Sequence, residues 1–246
     1  MTQPALTGKQ RHQRAKIPLW PIPLAITVTF LFAVHAAYAW SIRDGWVPAC
    51  IPYLEGCVSI SRAARHGVGN LLFKWLVIPC AGLHALVWWL SARWLAKDLR
   101  ASAAIHSMRI LGIISACALA VYAMFLGTQG EVYGFLRRYG VTVYFGFGFL
   151  AQLLLLRVAA QRHAIGPRLR RMMAAVCIWM LLLGVANVIA GFVVDDPATR
   201  DRIENALEWQ LGLLLVGWFG FLALAWKRDG LSWGSIAIRF AGRGRD

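Results

Sequence analysis

The sequence has little charge for its length, and acidic residues are especially scarce. Charged residues occupy 15% of the 246 positions, whereas soluble domains carry roughly 25%. Only 11 residues are Asp or Glu, against 26 Lys or Arg, and hydrophobic residues reach 59%. This composition excludes an ordinary soluble domain.

Familiar catalytic and cofactor motifs are also missing. The chain has no phosphate-binding loop, dinucleotide fingerprint or zincin helix. Ser59 and Ser61 lack the Gly-x-Ser-x-Gly elbow of a hydrolase. His35 and His84 invite a haem hypothesis, but in their predicted helices they differ in depth by roughly 12 Å, which favours packing histidines. We therefore expect no cofactor and no metal.

Long apolar runs dominate what is present. They lie near 18–40, 71–95, 108–128, 139–160, 174–194 and 206–226. About 20 apolar residues let a helix cross the hydrocarbon core. Alternating strands of a closed barrel do not fit these blocks. The sequence predicts an all-α, polytopic membrane protein with about six transmembrane helices over residues 18–226.

The charges divide unevenly between the two predicted faces. One face holds eighteen basic residues: Lys9, Arg11, Arg14, Lys16, Arg93, Lys97, Arg100, Arg109, Arg157, Arg162, Arg168, Arg170, Arg171, Lys227, Arg228, Arg239, Arg243 and Arg245. The acids on that face are Asp98, Asp229 and Asp246. On the other face, eight basic residues are balanced by eight acids: Arg43, Arg62, Arg65, Lys74, Arg137, Arg138, Arg200 and Arg202 with Asp44, Glu55, Glu131, Asp195, Asp196, Asp201, Glu204 and Glu208. The whole net charge of +15 thus lies on one face, which argues against nucleic-acid binding.

By the positive-inside rule, the basic face is cytoplasmic. Residues 1–17 then form a basic cytoplasmic segment and residues 227–246 a basic cytoplasmic tail. We expect an integral protein of the cytoplasmic (inner) membrane of a bacterium, with both termini inside. The acid-free stretch Arg157–Arg171 serves as an orientation signal and would also attract anionic lipid at the cytoplasmic face.

The first apolar run admits a second interpretation. Basic residues, an apolar run and Ala37-Tyr38-Ala39 resemble a secretory signal with its cleavage site. The run is about 21 residues long, beyond the usual 7–15 of a signal core. We therefore favour a retained helix, while cleavage would leave five spans.

The first outer loop, residues 41–70, is rich in Pro and Gly, which favours a compact folded cap rather than a regular element. Cys50 and Cys57 both lie in this loop, where an oxidising compartment would permit a disulfide. The sequence predicts that they form one. No further soft ligands accompany them, so they do not resemble a zinc site.

Small and polar residues give local signals in the last three runs. Asp196 and Pro197 have the pattern of an N-cap followed by proline at the first helical position, and predict where the last helix begins. Glu204 and Glu208 would share one face of it. Glycines open the fourth run at positions 140, 146 and 148, where they would let a neighbouring helix approach closely. Asn187 is expected to hydrogen-bond another helix.

Polar side chains converge at the outer mouth. Glu208 should lie at the membrane boundary, where an unpaired carboxylate is costly, so we expect an ion pair with Arg62, Arg65 or Arg138. Two interpretations remain open: a salt bridge that pins the first loop onto the last helix, or a pocket for a lipid headgroup. The candidate ligand-binding residues are Ser61, Arg62, Arg65, His66, Asn70, Glu131, Arg138, Glu208 and Gln210.

Three short motifs give the chain a family resemblance. They are Pro52-Tyr53-Leu54 with Ile60 to Phe73, the aromatic and glycine-rich stretch Tyr139–Phe149, and Glu208-Trp209. With the six-span layout, they make the chain similar to the Frag–DRAM–Sfk family of six-pass membrane proteins. Members act in lipid handling, trafficking and membrane organisation, which implies such a role here. Members commonly carry a His near the start of span four, where this chain has Arg138-Tyr139.

We expect the protein to bind or organise membrane lipid at an outer pocket at headgroup level, without catalysing a reaction. One alternative is a membrane enzyme that acts on a lipid headgroup or acyl group through Glu208, His66 and Arg65. Another is a small-solute transporter, for which the spans offer few polar residues: Asn187, Gln152 and His84. The oligomeric state is left open.

Overall fold

The computed structural model describes residues 17–96 and 102–235. The described residues form helices and no strands longer than a single bridge. The helices are α1 (Pro21–Arg43), α2 (Pro52–Glu55), α3 (Ile60–Ala63), α4 (Gly67–Leu95), α5 (Ala103–Phe125), α6 (Glu131–Gln161), α7 (Pro167–Val193) and α8 (Pro197–Arg228).

Six of these helices, namely α1 and α4 to α8, are long and apolar enough to cross a membrane. The chain is therefore an integral membrane protein, and the predicted all-helical bundle of six spans is confirmed. Several helices extend well beyond the apolar runs. At 1.5 Å per residue, the 32 residues of α8 reach about 48 Å, against about 30 Å of hydrocarbon. Polar turns of α8 therefore project beyond the hydrocarbon core.

The bundle has two ends, which we name by what lies there. The loop end carries residues 44–66, with α2 and α3, and the turns at 126–130 and 194–196. The tail end carries residues 17–20, 162–166 and 229–235. There the backbone N–H of Leu19 donates to Leu231 O at 3.1 Å, and that of Trp233 to Ile17 O at 2.9 Å. The first and last described segments are thus paired.

The spans form a ring that is open on one side. Helix α1 packs against α8 and α4, α5 lies between α4 and α6, and α7 packs mainly on α8. Helix α7 approaches α6 much less closely, and only 11% of its apolar window is buried. An apolar gap between α6 and α7 results.

Small residues set the close contacts elsewhere in the ring. A Cβ added at Gly112 of α5 would overlap the Trp88 indole of α4. A Cβ at Gly140 would lie 3.2 Å from Ala118 O, and one at Gly148 would lie 3.0 Å from Ser115 Oγ. The close helix approach predicted at Gly140 and Gly148 is therefore present between α5 and α6. Gly146, in contrast, has open space beside it.

The cap at the loop end is shorter and more regular than predicted. It spans residues 44–66 rather than 41–70, and it contains the one-turn helices α2 and α3. Pro52 begins α2, Gly56 ends it with a left-handed φ of 58°, and Ser59 caps α3. The expectation that the cap lacks regular elements is wrong, because these residues supply local start and stop signals. A disulfide joins Cys50 and Cys57, whose Cα atoms are 6.5 Å apart.

Two predicted segments lie largely outside the described residues. Of the basic segment at 1–17, only residue 17 is described, and of the tail at 227–246, only residues 227–235. The charges at residues 97–100 are likewise outside the described part of the chain.

Candidate functional site

Helix α8 holds the cap by hydrogen bonds to the cap's backbone. The Asn205 amide donates to Gly56 O at 2.9 Å, and the Gln210 amide donates to Tyr53 O at 2.8 Å. Between them, the indole N–H of Trp209, a fully buried side chain, donates to Val58 O at 2.8 Å. These three hydrogen bonds fix the cap to α8.

Glu208 belongs to the same face of α8. Its carboxylate lies within reach of the backbone N–H groups of Ile60 and Ser61, which begin α3. The next N–H, of Arg62, donates to the Ser59 hydroxyl at 3.2 Å. Since the first N–H groups of a helix have no partner inside it, Glu208 and Ser59 together complete the start of α3.

The predicted ion pair between Glu208 and an arginine is wrong. The only ion pair among the described residues joins Arg62 to Asp201 at 3.0 Å, with side chains that are 50% and 58% exposed. Arg62 lies near the Glu208 carboxyl group but forms no ion pair with it. The groups beside this carboxyl are instead the backbone N–H groups of Ile60 and Ser61, which sequence patterns do not reveal.

Two adjoining recesses open beside Glu208. The first, which we call the basic recess, has a volume of about 550 Å³. Its charged lining residues are Arg65, Arg137, Arg138 and Glu131. The Arg137 guanidinium donates to the carbonyls of Phe125 and Thr128, so it ties the 126–130 turn to α6. Arg138 and Glu131 are exposed and make no side-chain hydrogen bond within the described part of the chain.

The second recess, which we call the acidic recess, has a volume of about 400 Å³. It is lined by both Glu204 and Glu208, as their shared helical face predicts, and by Thr142 and Asn187. Asn187 makes no hydrogen bond to any described residue, so the interhelical bond expected for it is absent. No basic residue lines this recess.

The two recesses share Ser61, Tyr122 and Val141. Tyr122 is 4% exposed, and its buried hydroxyl has no hydrogen-bond partner among the described residues. The same is true of Nε of Arg65. An unmade hydrogen bond of a buried polar group costs about 1–3 kcal/mol, and such groups are uncommon in proteins. Tyr122 thus brings an unpartnered polar group to the wall that the two recesses share, and Arg65 brings one to the wall of the basic recess.

Below the acidic recess lies an apolar groove of about 400 Å³ between α6, α7 and α8. It is continuous with the acidic recess, because Phe145 and Leu211 line both. A Cβ added at Gly146 or Gly184, which both line the groove, would meet no atom within 4 Å. The groove is the gap that α7 leaves beside α6.

The structure brings together part of the predicted set. The predicted residues that line the two recesses are Ser61, Arg65, Glu131, Arg138 and Glu208. His66 lines a separate recess of about 380 Å³, whose wall includes Arg65 and Arg137. Its ring stacks on Trp46 with centroids 4.8 Å apart.

The other three predicted residues hold the cap instead of lining the recesses. They are Arg62, bound to Asp201, Gln210, bound to the cap backbone, and Asn70. The buried Asn70 amide donates to Ala64 O at 2.8 Å and to Leu126 O at 3.1 Å. Their polar groups are used within the protein, which sequence spacing does not reveal.

Tyr122 was missed because it lies inside an apolar run, where a tyrosine reads as a packing residue. Its position four residues before Leu126, at the loop end of α5, is the only sequence signal that would have pointed to it. Glu204, Arg137 and Asn187 carried signals as outer-side polar residues, yet they were left out of the candidate set.

The geometry bears differently on the two alternatives. An enzyme that uses Glu208 with His66 would need both in one cleft, but they line different recesses that have no lining residue in common, and the basic recess adjoins both. For a transporter path, Gln152 and His84 are buried in the core. The Gln152 amide donates to Leu215 O at 3.0 Å, and His84 packs on Phe219 with centroids 4.5 Å apart.

Comparison of the chain with protein-family models, with curated proteins and with solved structures finds no match in any of the three.

Proposed function

We propose that this protein binds a membrane lipid, with the headgroup in the joined basic and acidic recesses. The observation that carries the proposal is the shared wall. There Tyr122, whose buried hydroxyl has no partner among the described residues, lines both charged recesses, Arg65 with its unpartnered Nε lines the basic recess beside it, and the acidic recess continues into an apolar groove. A ligand with a polar head and an apolar chain would place its head in the charged recesses and its chain in the groove.

Depth along the helices supports a lipid. On α6, Arg138 lines the basic recess and Phe149 lines the groove. Eleven residues separate them, which is about 16 Å along a helix. Half of the hydrocarbon core is about 15 Å thick. The basic recess and the groove together therefore extend from headgroup level to about the middle of the membrane, the length of one leaflet.

We further propose that the loop end faces away from the cytoplasm, in the inner membrane of a bacterium. The split of charges between the two faces of the sequence supports this orientation. The Cys50–Cys57 disulfide supports it too, since disulfides persist in oxidising compartments.

Membership of the Frag–DRAM–Sfk family is part of the same proposal. The motifs that suggest it contribute to one region of the molecule: Ser61 and Arg65 from the loop motif, Tyr139 from the second, and Glu208 from the third. A role in lipid handling or membrane organisation would agree with a headgroup pocket there.

The proposal is tested by filling the shared wall. Val141 lines both recesses, so Val141→Trp should occupy the space of a headgroup. Val28→Trp is the matched control, because Val28 is 58% exposed on the outer surface of α1. Native mass spectrometry of detergent-purified protein should show copurified lipid on the wild type and on Val28→Trp, and much less on Val141→Trp. Equal lipid on all three proteins would overturn the proposal.

A further inference from the structure

We propose that the bound lipid is a phospholipid whose headgroup carries a primary ammonium group as well as a phosphate. The phosphate lies at Arg65 and Arg138, the ammonium lies at Glu204 and Glu208, and one acyl chain lies in the groove between α6 and α7. This inference rests on the proposed function and specifies the class of lipid.

The arrangement of charge carries the headgroup assignment. The basic recess has Arg65 and Arg138 available, whereas the acidic recess has two carboxylates and no basic lining residue. A headgroup with only a phosphate satisfies the first recess but brings no cation to Glu204, which has no ion pair among the described residues, or to Glu208, which lies beside the backbone N–H groups of α3. A phosphate and an ammonium linked in one headgroup satisfy both, because the recesses share a wall.

Hydrogen bonding selects a primary ammonium over a quaternary one. An ammonium of the lysine type has three N–H donors, and bonds between charged groups are the strongest that side chains make. A quaternary ammonium has no donor and is typically held by aromatic cages. The acidic recess offers three acceptor side chains, those of Glu204, Glu208 and Asn187, beside two aromatic residues, Tyr122 and Phe145.

The Tyr122 hydroxyl completes the phosphate side. It is buried without a partner between the two recesses. Arg65, whose Nε is likewise buried without a partner, lines the same recess. A phosphate offers several acceptor oxygens, so one phosphate can take a hydrogen bond from the hydroxyl and from the guanidinium together. Each buried donor then gains the bond it lacks within the described chain.

The groove accounts for the acyl chain. It meets the acidic recess at Phe145 and Leu211 and continues to Phe149 and Val185. Gly146 and Gly184 leave open space within it. Since α7 is largely uncovered towards the membrane, a chain can reach the groove from the side without passing through the bundle.

The headgroup assignment is tested with the full-length protein in detergent. Equal amounts of palmitoyl-oleoyl phosphatidylethanolamine, phosphatidylcholine and phosphatidylglycerol are added, and the bound lipid is read by native mass spectrometry. The wild type should prefer phosphatidylethanolamine over each of the others by about tenfold, since a hydrogen bond between charged groups corresponds to at least that factor.

Single charge removals separate the two halves of the headgroup. Glu204→Gln and Glu208→Gln should weaken phosphatidylethanolamine most and phosphatidylcholine less, because choline has the charge but no N–H donor, and they should not weaken phosphatidylglycerol. Asp195→Asn, at an exposed acid outside both recesses, is the control. Arg138→Gln should weaken all three lipids together, because all three carry a phosphate, whereas Arg43→Gln should not.

The acyl assignment has its own variant. Gly184→Leu should fill the groove and weaken palmitoyl-oleoyl phosphatidylethanolamine, but leave the short-chain dihexanoyl form unaffected. Gly82→Leu is the matched control, since Gly82 also has open space beside it and does not line the groove. Equal effects of Gly184→Leu on both lipids would overturn the acyl assignment.

The outcomes distinguish this inference from the proposed function. If Val141→Trp loses lipid but the wild type shows no preference among the three headgroups, the recess binds lipid and the ammonium assignment is wrong. If Val141→Trp retains its lipid, the proposed function itself is wrong. Should Glu208→Gln fail to fold because Glu208 also supports α3, Glu204→Gln decides, since Glu204 is exposed and does not contact the cap backbone. An unchanged preference in Glu204→Gln then overturns the ammonium assignment.

Discussion

Single residues fix the cap on the bundle, and Gly56 is the one that least tolerates a larger side chain. It has a φ of 58°, and a Cβ there would overlap the backbone carbonyl of Arg202 in α8. The neighbouring Asn205 amide takes the Gly56 carbonyl as its acceptor. Gly56 thus allows two backbones to meet where a side chain would hold them apart.

Replacing Gly56 by Ala should be far more damaging than the same change at Gly45. Both glycines have positive φ, so both variants bear backbone strain of about 1–2 kcal/mol. At Gly45 no atom lies within 4 Å of an added Cβ. Gly45→Ala should therefore cost no stability beyond this backbone strain. At Gly56 the cap must also move off α8, which costs about 1–3 kcal/mol more. Thermal unfolding in detergent should show the larger loss for Gly56→Ala.

One outcome would contradict the prediction for Gly56→Ala. Equal losses of stability in Gly56→Ala and Gly45→Ala would mean that the cap does not rest on α8 as described. Loss of the Gly56 contact should in addition increase proteolysis within residues 44–66, whereas Gly45→Ala should not.

The sequence predicted some residues of the candidate site but not their partners. The importance of Glu208 followed from its position at the start of a long apolar run. Its partners did not follow, because Ile60 and Ser61 offer backbone N–H groups whose direction depends on the fold of the cap. Tyr122 was hidden for a related reason: only the packed structure shows that its side chain lines both recesses and that its hydroxyl has no partner among the described residues.

At the scale of elements, α8 has the clearest start signal, and the structure confirms it. Asp196 accepts hydrogen bonds from the backbone N–H of Thr199 at 2.9 Å and from the Thr199 hydroxyl at 2.5 Å. Pro197 occupies the first turn. The hydroxyl and then the backbone N–H of Thr199 hold the pKa of Asp196 below its usual value.

The hydrogen bonds of Asp196 at the start of α8 should make the thermal stability of the protein depend on pH. Because the pKa of Asp196 is depressed in the folded protein, its stabilising effect is fully present above its unfolded value near pH 4. The effect is lost as the pH falls through the folded value. Asp196→Asn caps the helix without ionising, so it removes this dependence. Unfolding temperatures at pH 6 and pH 3 should show wild type above Asp196→Asn at pH 6, with the gap closing at pH 3.

The neighbouring acid serves as the control for this prediction. Asp195 is exposed and does not cap α8, so Asp195→Asn should retain the wild-type response to acid. A gap between wild type and Asp196→Asn that stays constant from pH 6 to pH 3 would contradict the role of ionised Asp196.

The same scale explains which parts of the fold could be predicted. Apolar runs identified all six spans, since hydrophobic length is what the membrane selects. They did not locate the ends: α6 begins at Glu131 and α8 at Pro197, each well before its run. Helical turns that lie outside the hydrocarbon core can be polar, so the apolar runs do not include them. Those turns carry Glu131, Arg138 and Glu204, so the site lies in the part of the helices that the runs missed.

For the whole molecule, the open side of the ring connects fold and function. Helix α7 packs on α8 and leaves a gap to α6, and that gap is the apolar groove. The closed side of the ring, through α1, α4 and α5, holds the cap in place. The Asn70 amide of α4 donates to Ala64 O of the cap at 2.8 Å and to Leu126 O at the end of α5, and the Ser41 hydroxyl of α1 donates to Ala63 O of the cap at 2.6 Å. A rigid side and an open side therefore meet at the two recesses.

Orientation is the last property of the whole molecule, and the charges predict it. The described basic residues at the tail end are Arg93, Arg109, Arg157, Arg162, Arg168, Arg170, Arg171, Lys227 and Arg228, and only Asp229 opposes them. At the loop end, acids and bases balance. An even number of spans would place both termini on one side of the membrane, and the positive-inside rule predicts that this side is the cytoplasm.

A pair of reporters should read this orientation, one active only in the cytoplasm and the other only outside. Fusions after Gly166, in the turn between α6 and α7, and after Asp246 should activate the cytoplasmic reporter. Fusions after Gln129 and Asp195, in the turns at the loop end, should activate the external one. If the fusions after Gly166 and Asp246 are external, the recesses would instead serve the cytoplasmic leaflet. The Cys50–Cys57 disulfide would then lie in a reducing compartment, where such bonds rarely persist.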